Sequence, residues 1–144
     1  MKPAVALLAL LLAGCSSTSS PPEAEAEPSW IAMVPGDALP FDGPGGELLL
    51  IYVDETYTID HINASALTWA QGDHYTTDFF DQRDDGTVWW YGRRGSWRAG
   101  RQEEPREVEI VDHRATFGDR VITLSDNGPV QLETPDGVYT RQPS

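Results

Sequence analysis

The chain has one cysteine, Cys15, among 144 residues. A single thiol excludes an internal disulfide, a cysteine-based metal site and a dithiol redox pair. Lysine is as scarce: Lys2 is followed by arginines alone. With 10 basic against 23 acidic residues, the formal net charge is -13. That balance repels nucleic acid and anionic lipid surfaces unless the positive charge is clustered, so no nucleic-acid partner is expected. Also missing beyond residue 30 is any long window with apolar residues at three- and four-residue spacing, or a helix cap ahead of one, which argues against helices.

Motifs that carry chemistry are few. The chain has no Gly-x-Ser-x-Gly, no Ser-x-x-Lys and no phosphate-binding glycine loop, so serine-type hydrolysis and nucleotide binding lack a local signature. Its histidines each follow an aspartate: Asp60-His61, Asp73-His74 and Asp112-His113. Neighbours in a strand point to opposite faces, so such an aspartate cannot orient its own histidine. A three-histidine zinc site would have to be assembled from separate strands. The run "DQRDDG" at 81–86 is similar to the start of a calcium loop, but Arg83 holds the third position and Gly92 the twelfth, where a bidentate glutamate belongs. No metal and no cofactor is expected.

What is present begins with "MKPAVALLALLLAGC": a basic residue, an apolar run from Ala4 to Ala13, then small residues before Cys15. The layout is that of a signal peptide, and the run is too short to span a bilayer as a mature helix. Leu12-Ala13-Gly14-Cys15 resembles the bacterial lipobox. The resemblance implies cleavage after residue 14 and a diacylglyceryl group on Cys15, hence a lipid anchor in the cell membrane or outer membrane, facing the extracytoplasmic side. Two or more acyl chains anchor stably, at about 0.8 kcal/mol per buried methylene. Residues 15–29 carry "SSTSSPPEAEAEPS" after the cysteine. They lack the apolar surface to offset the entropy of ordering and read as an acidic tether.

Residues 30–144 read as one all-β domain. Turn signals recur at short intervals, including "GPGG" at 43–46, "DDG" at 84–86, "RRG" at 93–95, "SDNGP" at 125–129 and "TPDG" at 134–137, with β-branched and aromatic runs between them. Strands are expected at 47–53, 56–62, 65–71, 74–80, 87–92, 96–101, 106–113, 119–124, 129–133 and 137–141. Within 106–113, Val108, Ile110 and Asp112 should face inward while Glu107, Glu109, Val111 and His113 face outward. So many short antiparallel strands suit a small meander barrel or a two-sheet sandwich.

The segment "DDGTVWWYGRRGSWRAGR" at 84–101 is the most distinctive. Asp85-Gly86 suits a type I′ turn, with both central residues at positive φ, and Gly95 suits the left-handed position of a second turn. The strand between them puts Val88 and Trp90 on one face and Trp89 and Tyr91 on the other. Either both faces meet apolar neighbours, or one is left as a binding platform. Arg93, Arg94, Arg98 and Arg101 form the one positive cluster, which serves either the chain's own carboxylates or an anionic partner group. "DGTVWWYG" followed by "GSWRAG" resembles a motif, Asp-Gly-Asn-Val-Trp-Tyr-x-Gly then Gly-Ser-Trp-Glu-Ala-Gly, of uncharacterised actinobacterial secreted proteins and lipoproteins. The resemblance implies an exported bacterial domain and no particular activity.

The sequence thus favours a non-enzymatic, lipid-anchored module that binds an envelope protein, a glycan or a small ligand. Trp89, Trp90, Tyr91 and Trp97 are the expected apolar contacts, and Arg93, Arg94 and Arg98 the anion contacts. Two alternatives stand beside it: a lipocalin-like carrier of an apolar ligand within a barrel, and a hydrolase using the carboxylates between Asp73 and Asp85 with His74.

Overall fold

A computed structural model describes residues 29–100 and 102–143; Cys15, the expected signal peptide, residues 15–28 of the expected tether, and Arg101 lie outside the described residues. The described residues are all-β. The strands are β1 (Ala38–Gly43), β2 (Gly46–Tyr52), β3 (Tyr57–Ile59), β4 (Ile62–Gln71), β5 (His74–Gln82), β6 (Val88–Arg93) and β7 (Trp97–Arg98). They continue with β8 (Arg106–Glu107), β9 (Glu109–Val111), β10 (Arg114–Phe117), β11 (Arg120–Ser125), β12 (Gly128–Thr134) and β13 (Gly137–Arg141).

These strands form one curled antiparallel sheet in the order β7-β6-β5-β4-β2-β1-β13-β12-β11-β10-β9, with β3 added to β4 and β8 to β6. Pairing of β1 with β13 joins the first and last strands, Phe41 opposite Arg141. The two ends of this half-barrel are bridged by Arg106–Val111. Its first residues pair with β6, Val108 donates its N–H to the Val88 carbonyl at 2.8 Å, and β9 pairs with β10. A single continuous sheet of this kind selects the barrel-like solution over two separate facing sheets.

Period-two alternation fills the interior. Phe41, Leu48, Leu50, Leu67, Trp69, Phe80, Trp90, Phe117, Leu132 and Tyr139 all belong to one buried cluster. A second cluster lies on the outer face of β4–β6, where Ala64, Ala66, Phe79 and Tyr91 are covered by Ile59 of β3 and by Ala99 just after β7. The two small alanines on β4 keep that outer face shallow, so that β3 and the segment after β7 lie close against it.

Several local expectations are corrected. Asp60-His61 and Asp112-His113 are not in strands but form two-residue hairpin turns, with φ of 51° and 67° in the first and 53° and 65° in the second. Positive φ at both central residues is the type I′ pattern, whose twist matches the flanking strands. The expected strand 56–62 is therefore the β3 strand, a turn, and the first residue of β4. Asp85-Gly86 is different again: Arg83 opposite Thr87 encloses a three-residue loop in which Gly86 has φ 91° and Asp85 has no positive φ. It is a type I turn closed by a left-handed glycine rather than a type I′ turn. Finally, Val108 is buried and Val111 exposed as expected, but Ile110, expected inside, is 40% exposed. Simple alternation fails there because the chain changes partner at Val108, from β6 to β10.

The most consequential irregularity is a bulge in β6. Phe79 pairs with Gly92 and Phe80 with Trp90, so one residue of β6 is extra. Without it, Arg93 would share the outer face of Trp89 and Tyr91. With it, Trp90 and Arg93 both turn inward although three positions apart. Gly92 makes this possible. Its φ is 145°, and a Cβ there would sit 2.6 Å from the Trp97 carbonyl oxygen.

Candidate functional site

Inside the half-barrel, the bulge brings Arg93 onto Asp78, which has no solvent exposure. Arg93 Nε donates to Asp78 Oδ1 at 2.8 Å, and its Nη2 to Oδ2 at 3.3 Å. The same carboxylate accepts the indole N–H of Trp69 at 3.1 Å and of Trp90 at 3.0 Å. Arg93 also donates to Asp119 Oδ1 at 2.9 Å and to the Phe117 carbonyl at 3.2 Å. Burial pushes the Asp78 carboxyl above its ordinary value, against the downward pull of Arg93 and the two indoles. Burial opposes the Arg93 charge, but Asp78 and Asp119 more than restore it and hold its pKa above the usual value. The hydrogen bond from Arg93 holds Asp119 below the usual carboxylate range. Four donors saturate Asp78, so this network organises the interior and offers nothing to a ligand.

On the other side of the same strands, a cleft of about 380 Å³ opens beside the turn that links β6 to β7. Its walls are Tyr57 and Ile59 of β3, Phe79 of β5, and the run from Arg93 to Arg98. The turn is tight: Ser96 N–H donates to the Arg93 carbonyl at 2.9 Å, and Gly95 takes φ 80°, as the sequence predicts. Arg94 is exposed, and its guanidinium carbon lies 5.6 Å from the Tyr57 ring centroid and 5.4 Å from that of Phe79. Arg98 is anchored by one bond, Nη2 to the Thr58 carbonyl at 3.2 Å. Neither Arg94 nor Arg98 pairs with a carboxylate among the described residues. The cleft therefore offers aromatic carbon walls and two cations whose charge is not neutralised by the fold.

The sequence-predicted residues divide accordingly. Arg94, Arg98 and Trp97 come together at the cleft. Trp97 is half-buried, stacked edge-on against Trp90 with centroids 5.0 Å apart and covered by Arg106 at 3.9 Å. Its indole nitrogen is buried without a hydrogen-bond partner among the described residues. Trp90 and Tyr91 leave the expected contact set, at 6% and 2% exposure, because one fills the interior and the other lies under β3 and Ala99. Arg93 leaves the anion contacts because Asp78 and Asp119 already hold its donors. Trp89 is half-buried away from the cleft, with its ring under the Arg83 guanidinium at 4.0 Å and its N–H donated to Thr87 Oγ1 at 2.9 Å. Tyr57 and Phe79 escaped the sequence reading. Each looks like an ordinary strand aromatic until β3 folds back over β5.

The carboxylates between Asp73 and Asp85 do not converge with His74. Asp73 and His74 stand at one end of β5, while Asp81, Asp84 and Asp85 line a shallow surface cleft at the other. The seven steps from His74 to Asp81 correspond to roughly 23 Å of strand. Asp78, between them, is sealed under Arg93. Among the described residues, no group of three or more histidine, cysteine or acidic side chains is placed to hold a metal ion. Compared with protein-family models, with curated proteins and with solved structures, the chain matches none.

Proposed function

We propose that the chain is a membrane-anchored bacterial lipoprotein whose extracytoplasmic β domain is a non-enzymatic binding module for a cell-envelope partner or ligand carrying an anionic group. The observation that carries the binding role is the β3/β7 cleft, where Arg94 stands over the Tyr57 and Phe79 rings and Arg98 lines the same wall, both without carboxylate partners among the described residues. In a chain of net charge -13, two such cations concentrated beside an apolar surface suit recognition of a carboxylate or phosphate next to carbon. The apolar-carrier alternative has less to rest on, because Phe41, Trp69, Trp90, Phe117 and Tyr139 occupy the space a carried ligand would take.

The anchor is tested by feeding cells labelled palmitate. The label is expected in the wild-type chain and absent from Cys15→Ala, which should also leave the membrane fraction. A labelled Cys15→Ala protein would sink the lipoprotein reading. The binding role is tested by placing a photo-crosslinking residue at Ser96 and irradiating intact cells. A discrete adduct is expected, diminished about tenfold or more in Arg94→Gln/Arg98→Gln, since a charge-assisted hydrogen bond contributes roughly 1.5–3 kcal/mol. An adduct equally strong in the double variant, with the domain folded, would refute it.

A further inference from the structure

A second cleft, of about 360 Å³, opens at the mouth of the half-barrel and shares no wall residue with the first. It lies on the inner face of β4 and β5, where Trp69 and Thr76 face each other across the ladder. Arg120 reaches it from the start of β11, directly after a two-residue turn in which Gly118 takes φ 62°. That turn sends Asp119 to Arg93, so the neighbouring acid is already committed. The Arg120 guanidinium lies 5.1 Å from the Trp69 ring centroid and makes one long hydrogen bond, Nη2 to Thr76 Oγ1 at 3.4 Å. Its Nε is buried with no hydrogen-bond partner among the described residues, and the Asp119 oxygen 3.9 Å away is beyond hydrogen-bonding reach.

A cation desolvated to this degree, with Asp119 shared with Arg93 and no carboxylate in hydrogen-bond contact among the described residues, leaves room at an open cleft for a further negative charge. Burial and the nearby Arg93 oppose its charge and outweigh the support of Asp119, Asp78 and Asp136, so its pKa lies below the usual value. The other walls indicate what accompanies that charge. Gln71, held by donation of Nε2 to the Tyr139 hydroxyl at 3.0 Å, brings an amide oxygen, and Thr76 and Thr134 bring hydroxyls. Tyr75 stands at the rim with 68% of its surface exposed. An exposed phenol ring beside amide and hydroxyl groups suits the face of a saccharide ring, whose C–H groups stack while its hydroxyls hydrogen-bond. Asp136, also on the rim, accepts hydroxyl donors and repels a polyanion.

We infer that this mouth is a second binding site, for a sugar-sized hydroxylated ligand bearing one carboxylate or phosphate that pairs with Arg120. A planar guanidinium takes either anion in bidentate fashion, so the two are separated by experiment. The full-length chain in a non-ionic detergent is titrated by calorimetry with glucuronate, glucose 6-phosphate, glucose and inorganic phosphate, while the Arg120 Nε–H resonance is followed by nuclear magnetic resonance.

At least one anionic sugar should bind and shift that resonance, and the tighter of the two identifies the preferred anion. Affinity should fall about tenfold or more in Arg120→Gln, and as far for uncharged glucose, in line with loss of a charge-assisted bidentate pair. The Arg94→Gln/Arg98→Gln protein should bind these sugars normally, so failure at the first cleft and failure here are read separately. The inference is overturned if neither anionic sugar binds, if a folded Arg120→Gln protein binds as tightly as wild type, or if inorganic phosphate binds as tightly as either sugar. Should Arg120→Gln not fold, a wild-type Arg120 resonance unmoved by both anionic sugars overturns it equally.

Discussion

Replacing Asp78 with Ala is expected to destabilise the fold by about 3–5 kcal/mol, the usual cost of removing one partner of a buried ion pair. The reason is the number of groups left behind. Arg93 loses two of its four hydrogen bonds, and the indole N–H groups of Trp69 and Trp90 lose their common acceptor in an interior without substitutes. Each orphaned buried donor adds roughly 1–3 kcal/mol, although these costs overlap and do not sum. Denaturant unfolding followed by tryptophan fluorescence measures the effect directly. The pairing is tested further by Asp78→Ala/Arg93→Ala, which should be no less stable than Asp78→Ala alone, because the uncompensated charge has gone as well. A loss below about 1 kcal/mol for Asp78→Ala would mean that the network is incidental to the packing around it.

Trp90→Ala is expected to be comparably severe, about 3–5 kcal/mol, because a large buried aromatic leaves both a cavity and lost contacts. Trp90 packs edge-on against Trp97 and against Phe117, at centroid distances of 5.0 Å and 5.7 Å, and ties this aromatic group to Asp78. Trp90→Phe should fall between, since it keeps most of the packing but removes the N–H. Trp89→Ala, by contrast, should cost about 1 kcal/mol, as expected for a partly exposed side chain. Midpoints of thermal unfolding for these three variants decide between two views of adjacent tryptophans. Similar losses for Trp89→Ala and Trp90→Ala would contradict the division of one strand into an inward and an outward face.

That division also shows how far a period-two reading carries. It separated Trp90 from Trp89 and Tyr91 correctly, because backbone pleating alone sets which side a strand residue takes. It could not place Arg93. The extra residue between Trp90 and Gly92 reverses the alternation, and the demand for glycine there, a carbonyl of the returning β7 chain close above Gly92, is set by residues five and six positions further on. Lipocalin-like hollowness was unreadable for a related reason: alternation says which residues point inward, whereas only the curvature of the sheet says whether they meet across it. The aspartate–histidine turns were missed because the pairs that signal a type I′ turn normally contain glycine, and Asp-His does not. The local pattern continued as strand through a position where the chain in fact reverses.

The sequence by itself determined that the folded part is all-β, with closely spaced turns, one positive cluster and one crowded aromatic segment. These follow from local chemistry: glycine and aspartate at reversals, β-branched and aromatic residues between them, and arginines concentrated in a single stretch. Only the tertiary structure decided which of those arginines the fold keeps for itself. Arg93 is drawn inward by a bulge and neutralised by Asp78 and Asp119, while Arg94 remains over Tyr57 and Phe79, and Arg98 beside the same cleft, without acids among the described residues. It also decided that Arg120, an unremarked residue of a short strand, stands desolvated at the barrel mouth beside Tyr75 and Gln71. Charge pairing and burial depend on residues brought together from distant strands, and no spacing along the chain records which neighbours the curled sheet supplies.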